Sequence, residues 1–140
     1  MRYRSTVLTI GQQIVCMRRH FPAFSYRLET HRRKRVPTWR GRLQPTEVSP
    51  VYQVQIQYAY PKSPRIWVLS PVLRSGAPHR YGDGSLCLYY PGDGSWTPAL
   101  PIAYTFVPWT ALWLAFYEIW LHMDTWYGLE APHAPAKGKA

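Results

Sequence analysis

The stretch HRYGDGSLCLY at residues 79–89 decides how the rest of this 140-residue chain is organised. Its Gly-Asp-Gly turn leads into Cys87, which stands between two leucines. His79 lies eight residues before the cysteine, and Trp96 lies nine residues after it. Because a thiolate is the nucleophile in acyl and thiol exchange, a cysteine carried beside turns is a candidate nucleophile. The alternative is that Cys87 is a small buried apolar residue.

The residues before this stretch are arranged as a sheet. Apolar or aromatic residues alternate with glutamines over residues 51–58, which predicts a strand with one buried and one wet face. Prolines and turn residues separate this segment from three other candidate strands, and no strand–helix alternation is present. The sequence therefore predicts an α+β fold with a four-stranded antiparallel meander, its strands at residues 23–29, 36–43, 51–58 and 66–69.

Helical spacing predicts one helix at each end of this sheet. Ser5 can cap a first helix that runs to about residue 19, with Val7, Ile10, Ile14 and Met17 on one face. A second helix begins at residue 105 or 108 and ends near residue 123. Its expected buried stripe consists of Trp109, Leu112, Trp113, Phe116, Ile119 and Trp120.

Length and composition predict one domain, residues 1–133, followed by a flexible tail at residues 134–140. The net charge of +10 is concentrated at residues 18–20 and 31–35, and it implies an acidic partner, either nucleic acid or a protein face. A run of basic residues such as 32–35 is more often a solvated hairpin, which argues against nucleic acid. Two cysteines form no disulfide framework, so the simplest expectation is a reduced, cytoplasmic protein.

Targeting and membrane signals are not expected. No signal peptide opens the chain, because polar residues 11–13 interrupt any apolar run. The most apolar segment, residues 106–123, contains Pro108, Glu118 and His122 and is typical of a buried helix rather than a membrane span.

Other chemistry in the sequence centres on the two glycine turns. His79 is a candidate to stabilise an oxyanion, to orient a carbonyl or to move a proton. Asp83 and Asp93 occupy matching Gly-Asp-Gly turns, where turn geometry is the usual role, although Asp93 could also hydrogen-bond an incoming amine. The cysteines and histidines lack the paired short spacings of a zinc site. Neither turn matches a nucleotide-binding glycine loop, so no metal or cofactor is expected.

The order of these features resembles the ubiquitin-conjugating enzyme fold. Tyr60-Pro61 with Pro64 is similar to the family's Tyr-Pro and the proline before its fourth strand. His79 is similar to the histidine of the His-Pro-Asn signature, residues 84–88 to the segment around the active-site cysteine, and Trp96-Thr97-Pro98 to the turn before the second helix. Arg80 and Tyr81 stand where the family has Pro-Asn, and the chain ends soon after the second helix.

These departures resemble bacterial stand-alone conjugating-enzyme-like proteins of antiphage CBASS operons. The resemblance implies a transferase in which Cys87 carries a protein C-terminus as a thioester, with His79 as a second catalytic residue. Tyr81, Asp93 and Trp96 are then candidates for positioning the substrate. The implied partner is the C-terminal tail of a cyclic-nucleotide synthase of the cGAS/DncV-like nucleotidyltransferase class.

Two other functions stay open at this point. A non-catalytic protein-binding module of the same fold is compatible with the missing Pro-Asn, and a basic nucleic-acid-binding domain is compatible with the charge. The transferase hypothesis requires the Cys87 sulfur to be presented at the surface. A sulfur sealed in apolar packing favours the binding module instead.

Overall fold

The computed structural model describes residues 6–128, and the predicted flexible tail at residues 134–140 lies outside them. The four strands form one antiparallel sheet in the order β1-β2-β3-β4. The predicted α+β meander with a helix at each end is therefore confirmed. Its elements in chain order are α1 (Ile10–His20), β1 (Ser25–His31), β2 (Lys34–Leu43), β3 (Tyr52–Gln57), β4 (Arg65–Ser70), a 3₁₀ turn (Ile102–Tyr104) and α2 (Phe106–Met123).

The alternating pattern of β3 divides the sheet into a core face and a solvent face. Val54 and Ile56 are fully buried, whereas the glutamines between them lie on the other side. Ile56 is paired with Trp39 of β2 and with Ile66 of β4, so apolar residues form continuous rows across the sheet. These rows join one buried apolar cluster with Met17 of α1 and several residues of α2. The core therefore lies between the sheet and the two helices.

The first helix starts later than its apolar pattern predicts. Thr9 is the N-cap, and it forms a capping box in which its hydroxyl accepts from the Gln12 amide and its own amide donates to the Gln12 side chain. Val7 consequently precedes the helix and is exposed. The proposed cap, Ser5, lies outside the described residues. Ile14 and Met17 do pack towards the core, so only the start of the helix was wrong.

The buried face of α2 differs from the predicted stripe. Trp113 and Trp120 are buried as expected, but Leu112 and Ile119 are 56% and 40% exposed. The helix is apolar on nearly every side, so spacing alone could not identify the face that meets the core. Neither helix in the described range has the length and apolarity needed to cross a bilayer. The residues that α2 buries are Phe106, Val107, Thr110, Trp113, Leu114, Tyr117 and Trp120.

The basic cluster forms the tip of the β1–β2 hairpin. β1 extends to His31 and β2 starts at Lys34, which leaves Arg32 and Arg33 as a two-residue turn. Both arginines have positive φ angles, 49° and 66°, as such tight turns require. All residues from 31 to 35 are exposed.

Candidate active site around Cys87

A tight turn places Cys87 at the edge of the sheet. The Tyr81 amide donates to the Ser85 carbonyl at 2.8 Å, and the Gly84 amide donates to the Tyr81 carbonyl at 2.9 Å. Gly84 has a φ of 86°, a conformation that favours glycine. The Asp83 carboxylate accepts from both the amide (2.9 Å) and the hydroxyl (2.6 Å) of Ser85. The Gly-Asp-Gly sequence therefore has the turn role expected of it.

Hydrogen bonds to Ile66 and Trp67 attach this turn to β4. The Leu86 amide donates to the Ile66 carbonyl at 2.9 Å, and the Leu86 side chain is buried. The indole nitrogen of Trp67 donates to the Asp83 carbonyl at 3.1 Å. The position of Cys87 is therefore set by β4, because the loop that carries the cysteine is bonded to this strand.

His79 fixes the backbone of Cys87 through its carbonyl oxygen. That oxygen accepts from the Cys87 amide at 2.8 Å and from the indole nitrogen of Trp113 at 3.3 Å. The residue adopts a positive φ of 58°, which turns its carbonyl to both donors. Its imidazole packs against the indole of Trp126, with ring centroids 5.1 Å apart. No local pattern in the sequence indicated that α2 and the segment after it would contact His79.

The Cys87 side chain is largely buried, at 8% exposure, so the expectation of a sulfur at the surface is wrong. The sulfur lies 3.6 Å from the Tyr89 carbonyl oxygen, to which the thiol donates. It also shares a hydrogen bond with the Tyr81 side chain. These two polar contacts therefore come from its own loop, one from the Tyr81 side chain and one from the Tyr89 backbone. Two of its contacts are polar, so apolar packing alone does not enclose it.

Tyr81 is the predicted positioning residue that the structure brings to the thiol. Burial raises the pKa of its phenol, and the hydrogen bond to Cys87 raises it further. The phenol therefore keeps its proton at neutral pH and remains a hydrogen-bond donor. The Arg65 guanidinium lies over its ring, 5.0 Å from the centroid, and also bonds Asp83 at 3.2 Å and the Ser85 hydroxyl at 3.0 Å. Arg65 thereby fixes the Tyr81 ring and the turn together.

The other two predicted positioning residues have contacts elsewhere. Asp93 is exposed, and its carboxylate accepts from the Ser95 amide at 2.7 Å within its own turn. Trp96 is buried, with its ring centroid 5.7 Å from that of Tyr58 and 5.8 Å from that of Phe106. In these contacts Asp93 stabilises its own turn, and Trp96 packs in the core.

Residues 6–128 contain no group of three or more histidine, cysteine, aspartate or glutamate side chains arranged to hold a metal ion. Neither Cys16 nor Cys87 takes part in a disulfide. Cys16 is half-buried on α1 and makes its polar contact with the Tyr104 hydroxyl. Cys87 is thus the cysteine on the loop beside β4, and Cys16 provides an internal comparison for it.

Comparisons with known proteins place this loop in a family context. No curated protein matches the chain. A family model described as type II CBASS E2 protein matches residues 13–134, a range that contains most of α1, the whole sheet, the Cys87 loop and α2. Since the match extends over most of its length, the chain belongs to the family of type II CBASS E2 proteins.

Proposed function

We propose that Cys87 carries an acyl group as a thioester and transfers it to an amine. The observation that carries this proposal is the contact between the Cys87 thiol and the Tyr81 phenol in a loop fixed to the sheet. A phenol that keeps its proton beside a nucleophilic sulfur is suitably placed to donate a hydrogen bond to the oxygen of a tetrahedral intermediate. Membership of an E2 family supports the same chemistry.

The reaction has two balanced steps. In the first, the Cys87 thiolate attacks the carbonyl carbon of an activated acyl donor, a C–S bond forms, and the bond to the leaving group breaks. The thiol proton passes to solvent. In the second, an amine attacks the thioester carbon, a C–N bond forms, and the C–S bond breaks to release the thiolate. The amine loses a proton to solvent, the released thiolate takes one up from solvent, and the thiol is regenerated without any redox change.

The His79 imidazole was predicted to stabilise the oxyanion or to position the acceptor, and this role stays a prediction. A contribution of His79 is supported by the hydrogen bond that its carbonyl oxygen accepts from the Cys87 amide. We assign the phenol of Tyr81 the role of oxyanion donor, since its hydroxyl meets the sulfur. Because Cys87 is 8% exposed, substrate entry then requires a local movement that uncovers its sulfur.

The donor that we propose is the C-terminal tail of a protein partner in the same defence system. The family description names type II CBASS. The resemblance stated above implies a cyclic-nucleotide synthase of the cGAS/DncV-like nucleotidyltransferase class as that partner. Its tail would arrive as an activated acyl group, and its glycine carboxyl carbon would form the thioester.

The test is to trap the covalent adduct. The chain is incubated with the synthase and its activating system and is analysed on a non-reducing gel. We expect a thiol-sensitive adduct in the wild type and in Cys16→Ala, and a more persistent ester-linked adduct in Cys87→Ser. Cys87→Ala should form no adduct. An adduct that survives Cys87→Ala would remove Cys87 from the role.

Burial of Cys87 favours one second candidate, a protein-binding module without catalysis. The rate at which the native protein reacts with iodoacetamide separates the two functions. A transferase requires Cys87 to react faster than Cys16, despite its lower exposure. A Cys87 that reacts only when the protein unfolds would favour the binding module.

A further inference from the structure

We infer that the tip of the β1–β2 hairpin, residues 32–35, is a docking site for an acidic surface of the protein that supplies the acyl group. This inference rests on the proposed function for the identity of the partner. The first observation is the charge itself. Four consecutive cations lie at the end of the sheet, and every one of them is exposed.

The structure does not neutralise these cations. Among residues 6–128 the ion pairs join Arg40 to Glu29, Arg65 to Asp83 and Arg74 to Asp124, and the tip takes part in none of them. Glu29, the acid nearest along β1, is held by both terminal nitrogens of Arg40. Like charges in adjacent positions repel each other, so the folded chain alone gains nothing from this arrangement.

The backbone of the tip gives a second observation. Arg32 and Arg33 occupy the two turn positions with φ of 49° and 66°, where asparagine and glycine are strongly preferred. An arginine side chain makes this conformation less favourable, and neither residue is buried against anything that would compensate. Two exposed cations at a strained position therefore support a role for their side chains outside the chain.

The position of the tip decides which kind of partner it fits. Tyr26, Trp39, Ile56 and Ile66 form one row across the sheet, and Leu86 is bonded to the end of that row. The tip begins at Arg32, six residues beyond Tyr26 along the chain. With about 3.3 Å per residue along a strand and about 4.8 Å between strands, the tip lies roughly 25–30 Å from the Cys87 loop. A group so far away cannot touch the reacting atoms, but a folded protein whose tail reaches Cys87 can contact both.

A single-stranded nucleic acid fits this surface less well. Sites of that kind combine basic residues with aromatic side chains on which bases stack. The tip contains no aromatic residue, and the aromatic side chain on the solvent face, Trp67, lies on β4 at the far edge of the sheet. An acidic protein surface needs only complementary charge, which the tip supplies.

The test uses a variant that improves the turn while it removes charge. Arg32→Asn with Arg33→Gly installs the preferred turn residues, so the protein should fold at least as well as the wild type. The matched control, Arg18→Gln with Lys62→Gln, removes two exposed cations from other elements. Each protein also carries Cys87→Ala, and its association rate with the full-length synthase is measured without any chemistry.

We expect the turn variant to associate about tenfold more slowly at low salt, and the control to associate at nearly the wild-type rate. In about 0.5 M salt the difference in association rate should disappear, because charges more than a few ångströms apart are then screened from each other. Equal rates for the turn variant and the wild type would overturn the inference. A turn variant that no longer binds a single-stranded RNA oligonucleotide but binds the synthase unchanged would also overturn it.

This readout stays separate from the proposed function. If the turn variant binds slowly but the wild type never forms an adduct at Cys87, the docking site stands and the thioester proposal fails. If the wild type forms the adduct and the turn variant with Cys87 retained forms it at the same rate with both the full-length synthase and its isolated tail peptide, the docking site fails and the thioester proposal stands.

Discussion

The sheet and the Cys87 loop are stabilised by different kinds of interaction. The sheet has continuous backbone ladders and a shared apolar core, so no single polar contact determines its shape. The loop depends on a few specific bonds, such as those of Asp83 to Ser85 and of Trp113 to His79. Substitutions in the sheet should therefore lower stability and activity together. Substitutions in the loop should lower activity with little change in stability.

The largest effect is expected in the sheet. Trp39 is 1% exposed and contacts the core from the centre of β2. Trp39→Ala should lower the free energy of unfolding by about 3–5 kcal/mol, because it removes buried area and leaves a cavity. Chemical denaturation measures this change.

Leu69→Ala is the control for that substitution, because Leu69 lies on the same sheet but is 46% exposed. It should change the free energy of unfolding by less than about 0.5 kcal/mol. Equal losses for Trp39→Ala and Leu69→Ala would show that the core does not lie on the assigned face of the sheet.

The next effect is expected at Tyr81. Tyr81→Phe keeps the ring under Arg65 and removes the hydroxyl that meets the thiol. Transfer should slow by roughly a hundredfold, as happens when one oxyanion donor is lost, while the free energy of unfolding changes by less than about 1 kcal/mol. Single-turnover kinetics and denaturation measure the two quantities. Tyr60→Phe, at an exposed residue, is the control and should leave transfer unchanged.

A smaller effect is expected at Trp113. Trp113→Phe preserves an aromatic ring next to Tyr117, with which the indole stacks at 5.5 Å, and removes the bond to the His79 carbonyl. The free energy of unfolding should fall by about 1–2 kcal/mol, because one hydrogen bond is lost and the smaller ring leaves part of a buried site empty. Alkylation of Cys87 should become faster because its backbone anchor is weakened. Unchanged alkylation would mean that the His79 carbonyl does not control access to the thiol.

The smallest effect concerns pH. Burial acts to raise the pKa of Asp83, but bonds from Ser85 and the charge of Arg65 outweigh it and lower the pKa overall. Its contribution to stability is therefore present above the unfolded value of about 3.9 and is lost as the pH falls through the lower folded value. Because the carboxylate is 44% exposed, solvent screening keeps the effect well below about 1 kcal/mol.

The difference in free energy of unfolding between wild type and Asp83→Asn, followed from about pH 6 to about pH 2, checks this sign. We expect the advantage of the wild type to shrink on acidification. An advantage that grows on acidification would mean that the pKa of Asp83 is raised in the folded protein.

The sheet could be predicted because its signal is local. The alternation of Val54 and Ile56 with glutamines identifies both the strand and its buried face within a few residues. The start of α1 also had a local signal, Thr9 followed three residues later by Gln12, but the apolar spacing of Val7 suggested an earlier start. The buried face of α2 had no such local signal, because apolar residues lie on nearly every side of the helix. One buried position is even a threonine, Thr110, whose hydroxyl donates to the Phe106 carbonyl.

The site was predictable only in part, for a related reason. Cys87 and Tyr81 are six residues apart, so the turn between them could be inferred from its glycines. The contact of Trp113 with His79 joins residues 34 positions apart, and Trp126 reaches the histidine from beyond the end of α2. Such contacts depend on how α2 packs, which the local pattern did not determine. For Cys87 the sequence left both a presented thiol and a small buried residue open, and the structure shows the buried one.

The most direct test of the central claim is to locate the acyl group in the wild-type chain. After reaction with the synthase and its activating system, the protein is digested without reducing agent and its peptides are identified by mass spectrometry, with and without hydroxylamine. We predict a hydroxylamine-labile mass increase on the peptide that contains Cys87 and none on the peptide that contains Cys16. A mass increase on Cys16 alone, or one confined to lysine peptides, would contradict the account.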